Sequence, residues 1–174
     1  MELIDVYDDE NKKVIKVVDR YTIHKYKLRH RTITVCILNE NGEVLIQKRS
    51  ANKKKCPNKW ELCSGHVSSG EDVADAAARE LKEELGIDVQ KNELKLIGVY
   101  SNTNKTNNNF KYFYYIKTNK KINEYIMQVE EVSEIKYISF KELENMIENK
   151  DSELTLARKC YVDQVIEEIK KILL

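Results

Sequence analysis

Residues 65–87 read GHVSSGEDVADAAARELKEELGI, and the spacing within this stretch decides the fold. Ala74, Ala78, Leu81 and Leu85 recur at i, i+4, i+7 and i+11, the pattern of one apolar stripe on a helix. Ser69, three residues before Asp72, suggests a capping-box-like start, and Gly86 supplies a stop. Glu80, Glu83 and Glu84 fall within one turn and share a face beside the stripe. The small Ala76 and Ala77 lie one turn earlier and leave room for something to approach. Like charges at i, i+4 cost a few tenths of a kcal/mol per pair, so the bare cluster opposes its own helix. A divalent cation reverses that sign. Hard cations take carboxylate oxygens and are completed by waters and substrate phosphates. The cluster therefore reads as a platform for Mg²⁺, with Mn²⁺ as the alternative. The plainer account is a solvated helix face with Arg79 and Glu83 as an i, i+4 ion pair.

Outward from this helix, strands dominate. TITVCIL (32–38), the turn Asn39-Glu40-Asn41-Gly42 and EVLIQ (43–47) predict a hairpin, since Asn-Gly supplies the positive φ of a tight turn. Residues 3–7 and 14–18 flank a polar turn, so residues 1–30 read as an N-terminal ribbon. A short strand is expected around Trp60-Glu61-Leu62, and further strands at 94–100, 110–117 and 135–138. NTNKTNNN (102–109) is a polar loop tip. Helices are expected at about 140–149 and 155–173, the last carrying Val162, Val165, Ile166, Ile169, Ile172 and Leu173 at helical spacing. The whole, 1–174, reads as one α/β domain, a mixed sheet with helices packed on it.

Composition narrows the function classes. The 174 residues carry a net charge of +1, with Lys and Arg scattered among acidic residues, so no basic stripe for nucleic acid is visible. The run Lys53-Lys54-Lys55 is too short to make one. No apolar stretch approaches the roughly 20 residues a membrane helix needs. The acidic start MELIDVYDDENKKV is neither a signal nor a transit sequence, which leads to an expected cytoplasmic location. Cys36, Cys56, Cys63 and Cys160 show no CxxC spacing and read as reduced, mostly buried thiols.

Across 65–87 the pattern G-x₅-E-x₇-R-E-U-x-E-E-x-G-U, with U aliphatic, is met at Gly65, Glu71, Arg79, Glu80, Leu81, Glu83, Glu84, Gly86 and Ile87. A chance match in such a chain is below roughly one in a million. The segment resembles the motif of the Nudix hydrolases, with every fixed position present. The resemblance implies an α/β/α sandwich and hydrolysis of a diphosphate linkage in a small-molecule substrate, a nucleoside diphosphate linked to X. It implies Glu80 and Glu84 as principal metal ligands, Glu83 as a ligand directly or through water, and a backbone carbonyl at or near Gly65. Glu71 and Arg79 would pair to hold loop and helix together. Nudix enzymes often take their general base from a downstream loop, where Glu130, Glu131 and Glu134 are the candidates.

The flanks resemble type I isopentenyl-diphosphate isomerase, which shares the fold but moves a double bond. Arg49 and Lys53, in RSANK, match diphosphate-binding positions there, with Pro57 and Trp60 at the expected offsets. His30 and His66 align with metal-binding histidines of the isomerases, and His24 does so after a one-residue deletion; a packed neutral ring is the plainer account of each. The departures favour hydrolysis. Ser64 stands where the isomerase cysteine precedes glycine-histidine, Cys63 lies one position early, and Asn109 occupies the place of a glutamate. A binding module that senses a nucleotide without turnover is a third reading. Specificity is expected in 50–59, 101–109 and the ribbon. Tyr112, Tyr114 and Tyr115 are candidates to stack on a base, with Tyr112 and Tyr114 sharing a strand face. The C-terminal helix could pack internally or against a partner in a homodimer.

Overall fold

The computed structural model describes residues 2–103, 107–158 and 161–173. Strands β1 (Leu3–Tyr7) and β2 (Val14–Asp19) form the expected antiparallel ribbon. Helix α1 (Arg20–Tyr26) then occupies what the sequence suggested was ribbon. Asp19 caps it by accepting from the Thr22 N–H at 3.0 Å, and Ile23 is its one buried residue, too little apolar pattern to be read as a helix. Ile23 packs with Ile4 and Val6 in a small core of its own.

The second sheet is built on β3 (His30–Leu38). It runs parallel to β8 (Asn108–Lys117), which pairs antiparallel with β7 (Lys95–Thr103). On its other edge β3 meets two partners. Residues 32–35 pair with β6 (Cys63–His66), and only Leu38 pairs with β4 (Val44–Arg49), at Val44. The predicted hairpin turn is present, with Gly42 at φ 73°, but its arms diverge at once. β4 pairs instead with β9 (Val132–Ile138) and with β5 (Trp60–Glu61). The chain thus crosses a fork in the sheet at Leu62, and a cleft opens there.

Alternation along β3 divides the apolar residues between two layers. Ile33, Val35 and Ile37 face α2 (Val73–Leu85) together with Tyr114 and Leu45. Cys36 and Leu38 face the other layer with α3 (Phe140–Glu148) and α4 (Val162–Leu173). This is the expected mixed sheet flanked by helices. Fully burying a Leu or Ile contributes roughly 1.5–3 kcal/mol, so each layer is held mainly by such residues. α4 starts at Val162, after a 3₁₀ turn at Thr155–Arg158, rather than at 155. Its Val165 and Ile169 are fully buried against the chain's own sheet, so it packs internally.

The apolar face of α2 is centred on Val73, Ala76, Ala77, Leu81 and Leu85, with Ala74 and Ala78 at its margin. Ala76 and Ala77 are therefore core residues and leave no room beside the glutamates. Asp72, not Ser69, is the N-cap, accepting from the N–H groups of Ala74 and Asp75. Ser69 Oγ donates instead to the buried Asp5 at 2.6 Å, and Gly70 N–H joins it at 3.1 Å. The ribbon thereby ties down the loop that enters α2. Gly86 ends the helix at φ 66°, as expected. Tyr112 and Tyr114 pack on the α2 side and Tyr115 on the other, and none lines the cleft. Cys36 and Cys63 are buried and Cys56 is exposed, all as free thiols; Cys160 and residues 104–106 of the polar loop lie outside the described residues. Among the described residues no helix is long and apolar enough to cross a membrane.

Candidate active site

The fork in the sheet holds a cleft of about 570 Å³. Glu80, Glu83 and Glu84 line it together with Gly65 and Arg79, and Arg49, Lys53 and Glu131 also reach it. The three glutamates do not present one uniform face. Glu84 is buried at 6% exposure, Glu80 is largely buried and Glu83 is half exposed. The acidic row thus grades from the core out to solvent.

Gly65 is explained by Glu80. A Cβ at position 65 would overlap the Glu80 carboxylate, so only glycine lets that side chain lie against strand β6. Its φ is not in the positive region, and the requirement is purely one of space. Gly65→Ala is expected to displace the Glu80 carboxylate and lower turnover by about 100-fold, the cost of a 1 Å misplacement at a reacting centre. The fold should persist, since an edge strand accepts alanine. Steady-state kinetics with a circular dichroism control would test it, and unchanged turnover would remove Glu80 from the site.

Arg79 ties the cluster together. Its Nε and Nη2 donate to the two Glu71 oxygens at 2.8 and 3.0 Å, the expected pair between loop and helix. Nη1 donates to Glu80 at 2.8 Å and to Glu83 at 3.1 Å, and Nη2 to the His66 carbonyl at 3.1 Å. Burial raises the Glu71 carboxyl, but the hydrogen bonds from Arg79 and the Ser68 N–H outweigh it and hold Glu71 below the usual range. Glu80 goes the other way: burial raises it and Glu83 adds repulsion, more than Arg79 offsets. Burial pushes Glu84 up to about 8, with Glu80 and Glu61 adding to the effect, against a hydrogen bond from Gln47 Nε2 at 2.8 Å.

Gln47 and Glu61 were not singled out by sequence. Glu61 lines the cleft, its carboxyl raised by burial and opposed by Arg49, whose Nη1 donates to it at 2.6 Å. Their places come from β4 pairing with β5 at Gln47↔Glu61, a non-local fact with no local signature. Arg49 also donates to the Lys55 carbonyl at 3.0 Å. Lys53 pairs with Glu131, the one of the three proposed base candidates that lines the cleft. Glu130 is exposed, and Glu134 is exposed and pairs with Lys48 at 3.4 Å, so neither is brought to the site.

His24, His30 and His66 do converge, with ring centroids 5.1–5.8 Å apart. Burial lowers all three, His30 to about 4. Among the described residues, no group of three or more His, Cys, Asp and Glu side chains is set to hold a metal ion as it stands. At the acidic row this reflects Arg79, whose Nη1 takes up Glu80 and Glu83. The donor types there still suit a hard cation: three carboxylates, one of them buried and in need of positive charge, beside a strand that glycine keeps open. Cys63 faces α2, on the side of β6 away from Ser64 and His66, and burial holds its thiol well above the usual range.

Residues 28–158 match the family model of the NUDIX domain. The chain is 32% identical over 157 residues to a Nudix hydrolase of Clostridium acetobutylicum, covering 86% of this chain and 75% of that one. It is 30% identical over 152 residues to an isopentenyl-diphosphate Delta-isomerase of Photorhabdus laumondii, covering 86% of this chain and 84% of the relative. A crystal structure from Deinococcus radiodurans superposes with a TM-score of 0.74 at 21% identity, covering 97% of this chain and 99% of the other.

Proposed function

The chain belongs to the Nudix hydrolase family, and from that premise we propose that it is a Mg²⁺-dependent hydrolase of a diphosphate linkage in a nucleoside diphosphate derivative or a related small phosphorylated metabolite. The observation that carries this reading is the meeting of Glu80, Glu83 and Glu84 with Arg49 and Lys53 in one cleft. Acidic and basic groups facing one space suit a metal-bridged polyphosphate. Glu80, Glu83, Glu84 and the Gly65 carbonyl would hold Mg²⁺, with Mn²⁺ as a substitute. When bound, such an ion neutralises phosphate oxygens and lowers the pKa of an attacking water.

The remaining roles belong to the chain. Arg49 and Lys53 bind phosphate oxygens, each exchanging a carboxylate partner, Glu61 and Glu131, for the substrate. Lys53 leaving Glu131 frees that carboxylate to accept a proton from water, which makes Glu131 the preferred general base. Arg79 and Glu71 position the acidic row and the loop before it.

The isomerase reading is supported by the 30% identical relative, but the buried Cys63 faces away from Ser64 and His66. The test is a panel at alkaline pH with Mg²⁺: nucleoside di- and triphosphates, nucleotide sugars, dinucleoside polyphosphates, ADP-ribose, NADH, coenzyme A and isopentenyl diphosphate. Turnover of one nucleotide class, lost with chelator, is the expected result. Isomerisation of isopentenyl diphosphate with every nucleotide untouched would overturn it, and metal-independent binding without turnover would make the protein a sensor.

A further inference from the structure

The floor of the cleft is polar where a sheet is normally apolar. His30, Thr32 and Thr34 alternate with the core residues of β3 and point away from α2. The register sets Asn109 beside His30, Lys111 and His66 on either side of Thr32, and Ser64 beside Thr34. Thr34 and Ser64 satisfy one another at 2.9 Å. Their neighbours do not. His30, Thr32 and Asn109 are 3%, 4% and 7% exposed, yet His30 Nε2, Thr32 Oγ1 and Asn109 Oδ1 have no hydrogen-bond partner among the described residues. An unpaired buried polar atom lowers stability, and three side by side are not explained by packing.

The chemistry of these atoms is defined. His30 Nδ1 lies 2.8 Å from the Leu28 carbonyl, which can only accept, so Nδ1 carries the proton. In the neutral ring Nε2 then presents a lone pair, as Asn109 Oδ1 does, while the Thr32 hydroxyl can give or take. Lys111, beside Thr32 in the register, lines the cleft with Arg20 and Lys55, so a cationic ligand group would meet positive charge. An anionic group would meet two lone pairs, and an apolar group would leave all three atoms unpaired. A neutral hydrogen-bond donor remains. Thr32, Asn109 and His66 line the same cleft as the glutamates, and His66 follows Gly65 in the chain, so this floor adjoins the diphosphate position.

We propose that Thr32 and Asn109, which line the cleft in front of His30, form a subsite for a neutral, hydroxyl-bearing group, such as a sugar ring, on the far side of the scissile diphosphate. The proposal rests on the diphosphate-hydrolase reading above. The hydroxyls donate to Asn109 Oδ1 and exchange a bond with Thr32.

The test compares wild type and Thr32→Val, which keeps the side-chain shape and removes the hydroxyl. Calorimetric titrations with Ca²⁺ use inorganic diphosphate, ADP-ribose, UDP-glucose and the terminal methyl esters of ADP and UDP. Wild type should bind a sugar-linked diphosphate more tightly than the matching methyl ester. Thr32→Val should weaken that binding roughly five- to tenfold and leave the methyl ester and inorganic diphosphate unchanged. It should also raise the melting temperature without ligand by about 2–4 °C, because one unpaired atom is gone. Equal affinity for sugar and methyl esters in wild type would overturn the subsite. So would a lower melting temperature with unchanged affinities, the result expected of atoms that only hold a structural water. If inorganic diphosphate gives no binding heat either, the hydrolase reading itself fails, and the subsite with it.

Discussion

Glu84→Gln should reduce turnover by about 10²–10³-fold, the scale of removing one preorganised electrostatic group, and should stabilise the metal-free protein at alkaline pH. Both follow from where the carboxylate sits. It is 6% exposed and burial pushes it up to about 8. The unfolded chain would titrate this group near 4.3, so the folded state binds the proton more tightly. The stability so contributed is fully present below about pH 4 and is lost as pH rises through about 8. Above that point the metal-free protein holds a buried charge facing Glu80 and Glu61. Glutamine keeps an oxygen to accept from Gln47 and removes the titration. With chelator present, the melting temperature of wild type should fall between pH 6 and pH 9 more steeply than that of the variant. Mg²⁺ should restore wild type most at the alkaline end and leave the variant nearly unmoved. Equal pH slopes in the two proteins, or turnover that survives the substitution, would show that Glu84 is not the buried end of the metal site.

What could be foreseen was local. The α2 helix, its stop at Gly86 and the i, i+4 pair of Arg79 with Glu83 depend on residues close in sequence, so spacing reports them, whereas the Glu71–Arg79 pair was expected only from the family resemblance. The misjudged start shows the limit. Ser69 has the right chemistry for a cap, but Asp5, brought from the far end of the chain by the ribbon, claims its hydroxyl. Strand β6 reads CSGH, with no β-branched residue, and is a strand only because β3 offers it an edge. The gradient of burial along Glu80, Glu83 and Glu84 was likewise hidden. On an isolated helix the three are near equivalents; the forked sheet, with Gln47 and Glu61 on one arm and Gly65 on the other, makes them different. That the three histidines could share a site was implied by the isomerase resemblance alone; nothing local in the sequence reports it, since their convergence depends on the pairing of β3 with β6 and on α1.

Arg79→Ala is expected to have the widest effect of any single change, on folding and turnover together. The guanidinium spans Glu71, Glu80, Glu83 and the His66 carbonyl. Its loss leaves Glu71 and Glu80, both largely buried, without their shared counter-charge. Hydrogen bonds to charged groups contribute roughly 1.5–3 kcal/mol. Since a third of the Arg79 side chain meets solvent, which screens it, the loss expected is about 2 kcal/mol rather than the sum over partners. Glu71 is held below the usual carboxylate range. Its share of the stability is therefore present above the unfolded pKa and lost as pH falls through the lower, folded one. The destabilisation by Arg79→Ala should accordingly be larger at pH 7 than at pH 3. Arg79→Lys should recover little, because one ammonium cannot grip both oxygens of Glu71 in a fork and also meet Glu80 and Glu83. Urea unfolding at the two pH values and kinetics at saturating Mg²⁺ would separate the effects. If excess Mg²⁺ restored full turnover to Arg79→Ala, the arginine would serve only to balance charge in the metal-free protein. If turnover stayed low with the metal site filled, Arg79 would be a positioning residue, holding the loop from Gly65 to Glu71 at the distance the acidic row requires.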